Sequence, residues 1–216
     1  MRYETRLCSP ICRALQWVSR RAPIVRTLLP RAPIVAIRDY LAERAIGALP
    51  DRRYLEDVML PTLASAGFRR VLFAGCKRYT LHYGRYFERG SSEFWTLDCD
   101  PTAVAWGARD RQLTCDIRAI TAHIPAGYFD VAMLNGVFGF RVNDETAMNE
   151  TLAAIHSVLI PGGRVMIGWD KDLTPDPFSL SNMQRLFRRH AIEQLPATKS
   201  FPDDRHVYDF FAALPA

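Results

Sequence analysis

Four stretches of this chain end an apolar run in residues that can do chemistry. Gly75-Cys76-Lys77-Arg78-Tyr79-Thr80 follows Val71–Ala74, Asp98-Cys99-Asp100 follows Phe94–Leu97, Asp116-Ile117 follows Leu113–Cys115, and Asn135-Gly136-Val137-Phe138-Gly139 follows Val131–Leu134. Glycine at 75 permits a tight turn and close backbone approach. The N–H groups of a helix starting behind it can receive an anionic group such as a carboxylate. Asp98 suits a bidentate bond to ribose hydroxyls. Asp116 can accept an exocyclic amine, and Ile117 can line an adenine slot.

These residues need strands to place them. Buried or half-buried strands are expected over Arg70–Ala74, Glu93–Asp98, Leu113–Cys115, Phe129–Leu134, Arg164–Trp169, Ala191–Leu195 and Arg205–Ala212. Helices are expected from Asp51 to Ala66, Thr80 to Phe87, Pro101 to Arg109, Asp144 to Leu159 and Ser181 to His190, with a turn at Gly90–Ser92. Pro161-Gly162-Gly163 stops the long helix before the fifth strand. Such alternation predicts an α/β fold with a mostly parallel sheet and helices on both faces. The last strand follows the sixth through a short loop, which predicts that it runs antiparallel. In such a sheet, ligands bind outside the carboxyl ends of the strands, where the four stretches lie.

At 216 residues the chain suits one α/β domain plus an extension, and about half of it is apolar. No apolar run reaches the ~20 residues that span a bilayer. The start lacks the apolar core of a secretory signal, and a cytoplasmic location is expected. Its Arg-rich, acid-poor character also fits a mitochondrial presequence. The excess of Arg over Lys suggests a GC-rich bacterial source. Residues 1–38 hold eight Arg against Glu4 alone, so the rest of the chain is close to neutral. The high isoelectric point therefore comes from an arm, and gives no sign of a nucleic-acid groove in the main domain.

Within the arm, Ser9-Pro10 opens a helix with Leu7, Ile11, Leu15 and Val18 along one face. Arg-Ala-Pro-Ile-Val occurs at 21–25 and again at 31–35. Its period is too short for a solenoid, and each proline can open a short helix, the second reaching about Ala48. The arm reads best as a lid or as packed helices with a solvated Arg face, ahead of a basic amphipathic surface for an anionic membrane and, weakest for want of stacking aromatics, a nucleic-acid contact.

Five cysteines without a secretory signal are expected as reduced thiols. Cys8 and Cys12 have no partner pair at zinc-like spacing, and no metal is expected. Cys76, Cys99 and Cys115 each fall beside a strand end. They read as small apolar pocket residues, with a metal or redox trio as the sharper alternative.

The segments VLFAGCKRYT, WTLDCDPTAVAWGA, LTCDI, FDVAMLNGVFGF and LIPGGRVMIGWD, in this order and spacing, resemble class I S-adenosylmethionine-dependent methyltransferases over roughly residues 52–212. The resemblance implies a Rossmann-like seven-stranded sheet with an antiparallel last strand. It divides the chain into a basic helical extension, residues 1–50, and a methyltransferase domain, residues 51–216. It implies S-adenosylmethionine as cofactor, with Gly75, Cys76, Tyr79 and Thr80 by the methionine moiety. Asp98 would lie by the ribose, Asp116 and Ile117 by the adenine, and Asn135 at the sulfonium end, with Cys99 also in the cofactor-binding set. The first motif departs from the family: of its usual two or three glycines only Gly75 remains, followed by Lys77 and Arg78.

The activity so implied is SN2 transfer of a methyl group to oxygen or nitrogen of a small, partly apolar molecule. Positioning supplies much of the acceleration of such a displacement. Where the acceptor must lose a proton, His82, Asp170 and His206 are the candidate bases. Phe138, Phe140, Trp169 and Phe201 are candidates for an apolar acceptor wall. The alternative is a non-catalytic, S-adenosylmethionine-binding subunit that docks a partner or membrane through its arm. A dinucleotide-dependent oxidoreductase is disfavoured by the absence of G-x-G-x-x-G. No nucleic-acid-binding module is recognisable.

Overall fold

A computed structural model describes residues 44–88, 92–202 and 204–215. The expected helices before residue 44, the role of the arm and most of the Gly90–Ser92 turn lie outside these. The chain divides into two compact units, Met1–Arg53 and Tyr54–Ala216. In the first, residues 44–47 are helical, and Pro50–Tyr54 (α1) opens a new helix at a proline.

In the second unit a π-helical turn, Leu55–Met59, leads into Leu60–Ser65 (α2). The helix expected over 51–66 is therefore present, but widened in its middle. Pro61 supplies a reason. It has no N–H, and its ring crowds the carbonyl four residues back. The ladder loosens just upstream, where Leu60 N–H reaches back five residues to the Leu55 carbonyl.

The strands are Arg70–Ala74 (β1), Glu93–Asp98 (β2), Gln112–Thr114 (β3), Phe129–Asn135 (β4), Leu159–Asp170 (β5), Phe187–Arg189 (β6), Thr198–Phe201 (β7) and Asp204–Ala213 (β8). They form one sheet in the order β3-β2-β1-β4-β5-β8-β6, with β7 also paired to β8. Strands β1 to β5 are mutually parallel, and β8 is antiparallel to β5, β6 and β7. This is the expected mixed Rossmann-like sheet with one strand more. The remaining helices are Arg85–Glu88 (α3), Glu145–Val158 (α4) and Ser181–Leu186 (α5). Asp144 caps α4 by accepting from Ala147 N–H at 2.8 Å.

The departures have local causes. The helices expected from Thr80 and Pro101 shrink to 3-10 turns, Arg78–Thr80 and Pro101–Trp106, followed in the first case by turns and α3. Phe129 pairs with Leu159 but Val131 with Arg164, so the Pro-Gly-Gly segment bulges out opposite Asp130. The sixth strand comes earlier than expected. Ile192 and Leu195 instead bridge each other across a tight turn and plug the core. Residues 198–201, expected as loop, pair with β8 as β7.

Alternation along the central strands gives the sheet two buried faces. Leu72, Leu134 and Phe211 pack with Leu152 and Ile155 of α4. Phe73, Met133, Tyr208 and Phe210 pack with Leu55, Met59, Leu60 and Leu63, and with Tyr83.

One buried carboxylate ties the β8 side together. Asp209 Oδ2 accepts from Trp169 Nε1 at 2.8 Å, and Oδ1 accepts from Thr198 Oγ1 at 2.5 Å. Arg189 Nη1 lies 3.4 Å from Oδ1, and its guanidinium covers the Phe178 ring at 4.8 Å. A single side chain of β8 thus holds β5, β6 and β7. Asp209→Ala strands the indole N–H and removes an acceptor from Thr198. It lowers the unfolding free energy by about 2–3 kcal/mol in urea titration, and Asp209→Asn, which keeps one acceptor, costs less.

Candidate functional site

The site residues gather at the carboxyl ends of β1, β2, β4, β5 and the start of β8. Gly75 turns the chain off β1 with φ +101°. A Cβ there would lie 2.1 Å from the Asn135 carbonyl oxygen, so only glycine lets the β1 turn cross the end of β4. Gly75 N–H donates to the Leu97 carbonyl at 3.0 Å. Behind it, Thr80 Oγ1 accepts from Lys77 N–H at 3.0 Å and donates to the Lys77 carbonyl at 2.8 Å, closing the 3-10 turn. Lys77 and Arg78 are exposed, and Tyr79 is half-buried.

Asp98 ends β2 and is buried. Its Oδ2 accepts from Cys76 N–H at 2.9 Å and its Oδ1 from Asp100 N–H at 2.9 Å. The carboxylate therefore faces the β1 turn and is held from both sides. Each oxygen keeps a lone pair for a further donor. Asp100 caps the next turn through Thr102 N–H at 2.9 Å and meets Arg141 Nη2 at 3.6 Å. Hydrogen bonds from Thr102, with the nearby Arg141 and Lys77 cations, hold its carboxyl below the usual range. Because β1 lies between β2 and β4, the Arg141–Asp100 pair crosses above the Gly75 turn.

Asp116, after β3, is exposed and caps the Ile117–Ala122 turn through Arg118 N–H at 2.9 Å. It also takes Arg118 Nη2 at 2.6 Å, which depresses its carboxyl. The guanidinium continues to Glu150 at 3.3 Å. Ile117 is buried in the core. Cys76 is buried with Sγ 3.8 Å from the Leu97 carbonyl, and burial with the Asp98 charge pushes its thiol up to about 12. Cys99 is exposed and Cys115 half-buried. No three metal-ligating side chains converge among the described residues.

The β4, β5 and β8 ends meet over a glycine. Asn135, Gly168 and Tyr208 lie in one register row, and Asp170 stands opposite His206 two pairs further on. A Cβ on Gly168 would lie 2.3 Å from Asn135 Oδ1 and 3.0 Å from His206 Nε2. Both side chains thus lean over the bare backbone of β5. Asn135, Asp170 and His206 are all buried. Asn135 Oδ1 and Thr174 Oγ1 are buried atoms with no hydrogen-bond partner among the described residues. Thr174 lies against Gly139 of the β4 loop, 2.7 Å from where its Cβ would be.

His82 stands apart from this group. Its Nε2 faces Glu56 Oε2 at 3.4 Å and its ring packs on Tyr83 at 4.9 Å. Of the four aromatics considered for an acceptor wall, Phe138 and Trp169 are core. Phe201 packs on Tyr54 and Tyr208 at 5.7 and 6.2 Å. Phe140 alone is exposed, and Leu173 joins it on the neighbouring loop. Gly168 and Thr174 did not stand out in the sequence. A glycine inside an otherwise apolar strand was the available signal for the first; Thr174 carries no motif.

No known protein-family profile matches the chain, and no curated protein sequence matches it. Solved structures do. N-methyltransferase NodS from Bradyrhizobium japonicum WM9 superposes with TM-score 0.57 and 15% identity, over 78% of this chain and 99% of NodS. Its complex with S-adenosyl-L-homocysteine gives 0.58 and 15%, over 78% and 90%. A TehB-like SAM-dependent methyltransferase from Corynebacterium glutamicum ATCC 13032 Kitasato gives 0.56 and 18%, over 82% and 98%. The chain has the fold of the class I S-adenosylmethionine-dependent methyltransferases.

The two crowded glycines differ in what opposes them, and this ranks their substitutions. Gly168→Ala meets side-chain atoms that can rotate and costs about 1–3 kcal/mol in chemical unfolding. Gly75→Ala meets the β4 backbone at positive φ, and destabilises the protein more than Gly168→Ala in the same assay.

Proposed function

We propose that this protein is an S-adenosylmethionine-dependent methyltransferase that methylates oxygen or nitrogen of a small, partly apolar molecule. The observation that carries the proposal is the Asp98 carboxylate. It is buried at the end of β2, fixed by two backbone N–H groups, and set beside the glycine turn of β1. Each oxygen retains acceptor capacity, which suits the two hydroxyls of a ribose. N-methyltransferase NodS, also known in complex with S-adenosyl-L-homocysteine, shares this fold, which supports the same reading.

Bound S-adenosylmethionine would supply an electrophilic methyl group on a sulfonium. Asp98 holds the ribose, Gly75, Cys76, Tyr79 and Thr80 border the methionine moiety, and Cys99, Asp116 and Ile117 border the adenine side. Lys77 N-terminal to the 3-10 turn offers a cation for the amino-acid carboxylate. Asn135 offers a buried acceptor to an N–H or O–H of the molecule to be methylated. His206 is the group we assign to proton removal, with Asp170 opposite it to orient the ring. The Glu56-paired His82 serves the packing of its own segment. Phe140 and Leu173 give the acceptor an apolar rim.

We place the methyltransferase domain at residues 51–216 and read 1–50 as a basic helical extension that serves as a lid or as a surface-docking arm. The degenerate first motif favours one second reading, a non-catalytic S-adenosylmethionine-binding subunit; calorimetry tests the cofactor site that both share, and turnover with an acceptor separates them. Micromolar binding of S-adenosylhomocysteine to the wild type, weakened about tenfold to a hundredfold in Asp98→Ala, is expected from the loss of charge-assisted hydrogen bonds. Absence of binding to folded wild type overturns the cofactor assignment. With an acceptor in hand, His206→Ala lowers kcat about 10²- to 10⁴-fold near neutral pH, while His82→Ala leaves it close to wild type.

A further inference from the structure

Cys99 and Cys115 are the first residues past the carboxyl ends of neighbouring parallel strands. The β2–β3 register runs Thr96 to Gln112, Leu97 to Leu113 and Asp98 to Thr114, and each strand's next residue is a cysteine. Parallel neighbours lie about 4.8 Å apart, inside the ~4.4–6.8 Å Cα separation that a disulfide requires. Paired side chains on these strands do meet: Thr96 Oγ1 hydrogen bonds Gln112 Oε1, each three residues before its cysteine. Cys99 is also close enough for its charge to be felt at the Cys115 thiol, which burial raises first and Asp116 raises further.

The two thiols differ in a way that orders their chemistry. Cys99 is exposed and can meet a soluble oxidant. Cys115 is half-buried against the Leu97 and Ile117 core, where it is placed to react second. The third cysteine of this region takes no part. Cys76 Sγ points at the Leu97 carbonyl and Gln112, and its thiol is pushed up to about 12.

We propose that Cys99 and Cys115 form a reversible disulfide with a low-molecular-weight disulfide as oxidant, and that this bond closes the adenine side of the cofactor cleft. The Cys99 thiolate attacks one sulfur of oxidised glutathione, forming a mixed disulfide and expelling one glutathione thiolate, which takes up a proton. The Cys115 thiolate then attacks Cys99 Sγ and expels the second glutathione. The protein loses two electrons and two protons, and the oxidant becomes two molecules of glutathione. The bond would join the residue after Asp98 to the residue before Asp116. Its effect on the cofactor rests on the methyltransferase reading, in which adenosine lies between those two loops. Oxidation and cofactor binding then oppose each other, and by linkage each weakens the other equally.

The test uses the full chain with oxidised glutathione as probe. Arg89, Arg109, Arg111 and Arg118 place the two cysteines on different tryptic peptides. Non-reducing mass spectrometry is expected to find those peptides cross-linked, two hydrogens lighter than the free pair and released by dithiothreitol. Cys115→Ser is expected to keep glutathione on Cys99. Glutathione resting on Cys99 in the wild type, or cross-links that run instead to Cys8 or Cys12, would refute the pairing. Titration with S-adenosylhomocysteine is expected to be about tenfold weaker for the oxidised protein, and the ligand to slow oxidation. Equal affinity in both states overturns the opposition. If the reduced protein binds no S-adenosylhomocysteine, the functional reading fails while the cross-link result stands on its own.

Discussion

The carboxyl end of this sheet is organised around the burial of one negative charge. Asp98 sits in the interior, where an unpaired carboxylate is strongly disfavoured. Its two oxygens are met by the N–H groups of Cys76 and Asp100, which belong to different loops. The β1 turn must therefore lie against the β2 end, and it can do so only because Gly75 passes within touching distance of the β4 backbone. Three strand ends are fixed by one side chain and one missing one. The rest of the region follows from that placement, including the loop after β4 and the ion pair from Arg141 to Asp100 above the turn.

The opposite side of the sheet solves a similar problem with side chains. Asp209 is almost completely buried, and its partners are an indole, a hydroxyl and a guanidinium. Backbone donors fix loops, whereas side-chain donors fix strands to each other. The first arrangement leaves each carboxylate oxygen with acceptor capacity to spare. The second spends it on β5, β6 and β7, which places β8 and with it the His206 side chain beside Asn135.

Much of this was legible in the residues. The succession of parallel strands β1 to β5, the antiparallel last strand and the acid after β2 follow from apolar runs punctuated by Gly75, Asp98 and Pro161–Gly163. The sixth strand was misplaced because Ile192 and Leu195 carry the apolar signal of a strand while serving as plugs in a tight turn. Strand β7 was missed because Thr198–Phe201 is polar and half-exposed, and its pairing comes from β8. The π-helical turn needed Pro61 to be weighed against a strong helical pattern. At the site, Asn135 and His206 could be named separately, but that they share the space over Gly168 depends on register across three strands. Asp116 was read for its carboxylate, and its salt bridge to Arg118 is a contact that spacing alone does not reveal.

The lengths of the strands set how this sheet can meet another chain. Its long members, β4, β5 and β8, run through the middle, while β3 has three residues and β6 and β7 have three and four. The two short strands also divide one side of β8 between them, β7 along residues 204–209 and β6 along 211–213. A foreign strand seeking to extend the ladder finds only brief margins among the described residues, too short to hold register. Among the described residues, self-association by adding strand to strand is thereby discouraged.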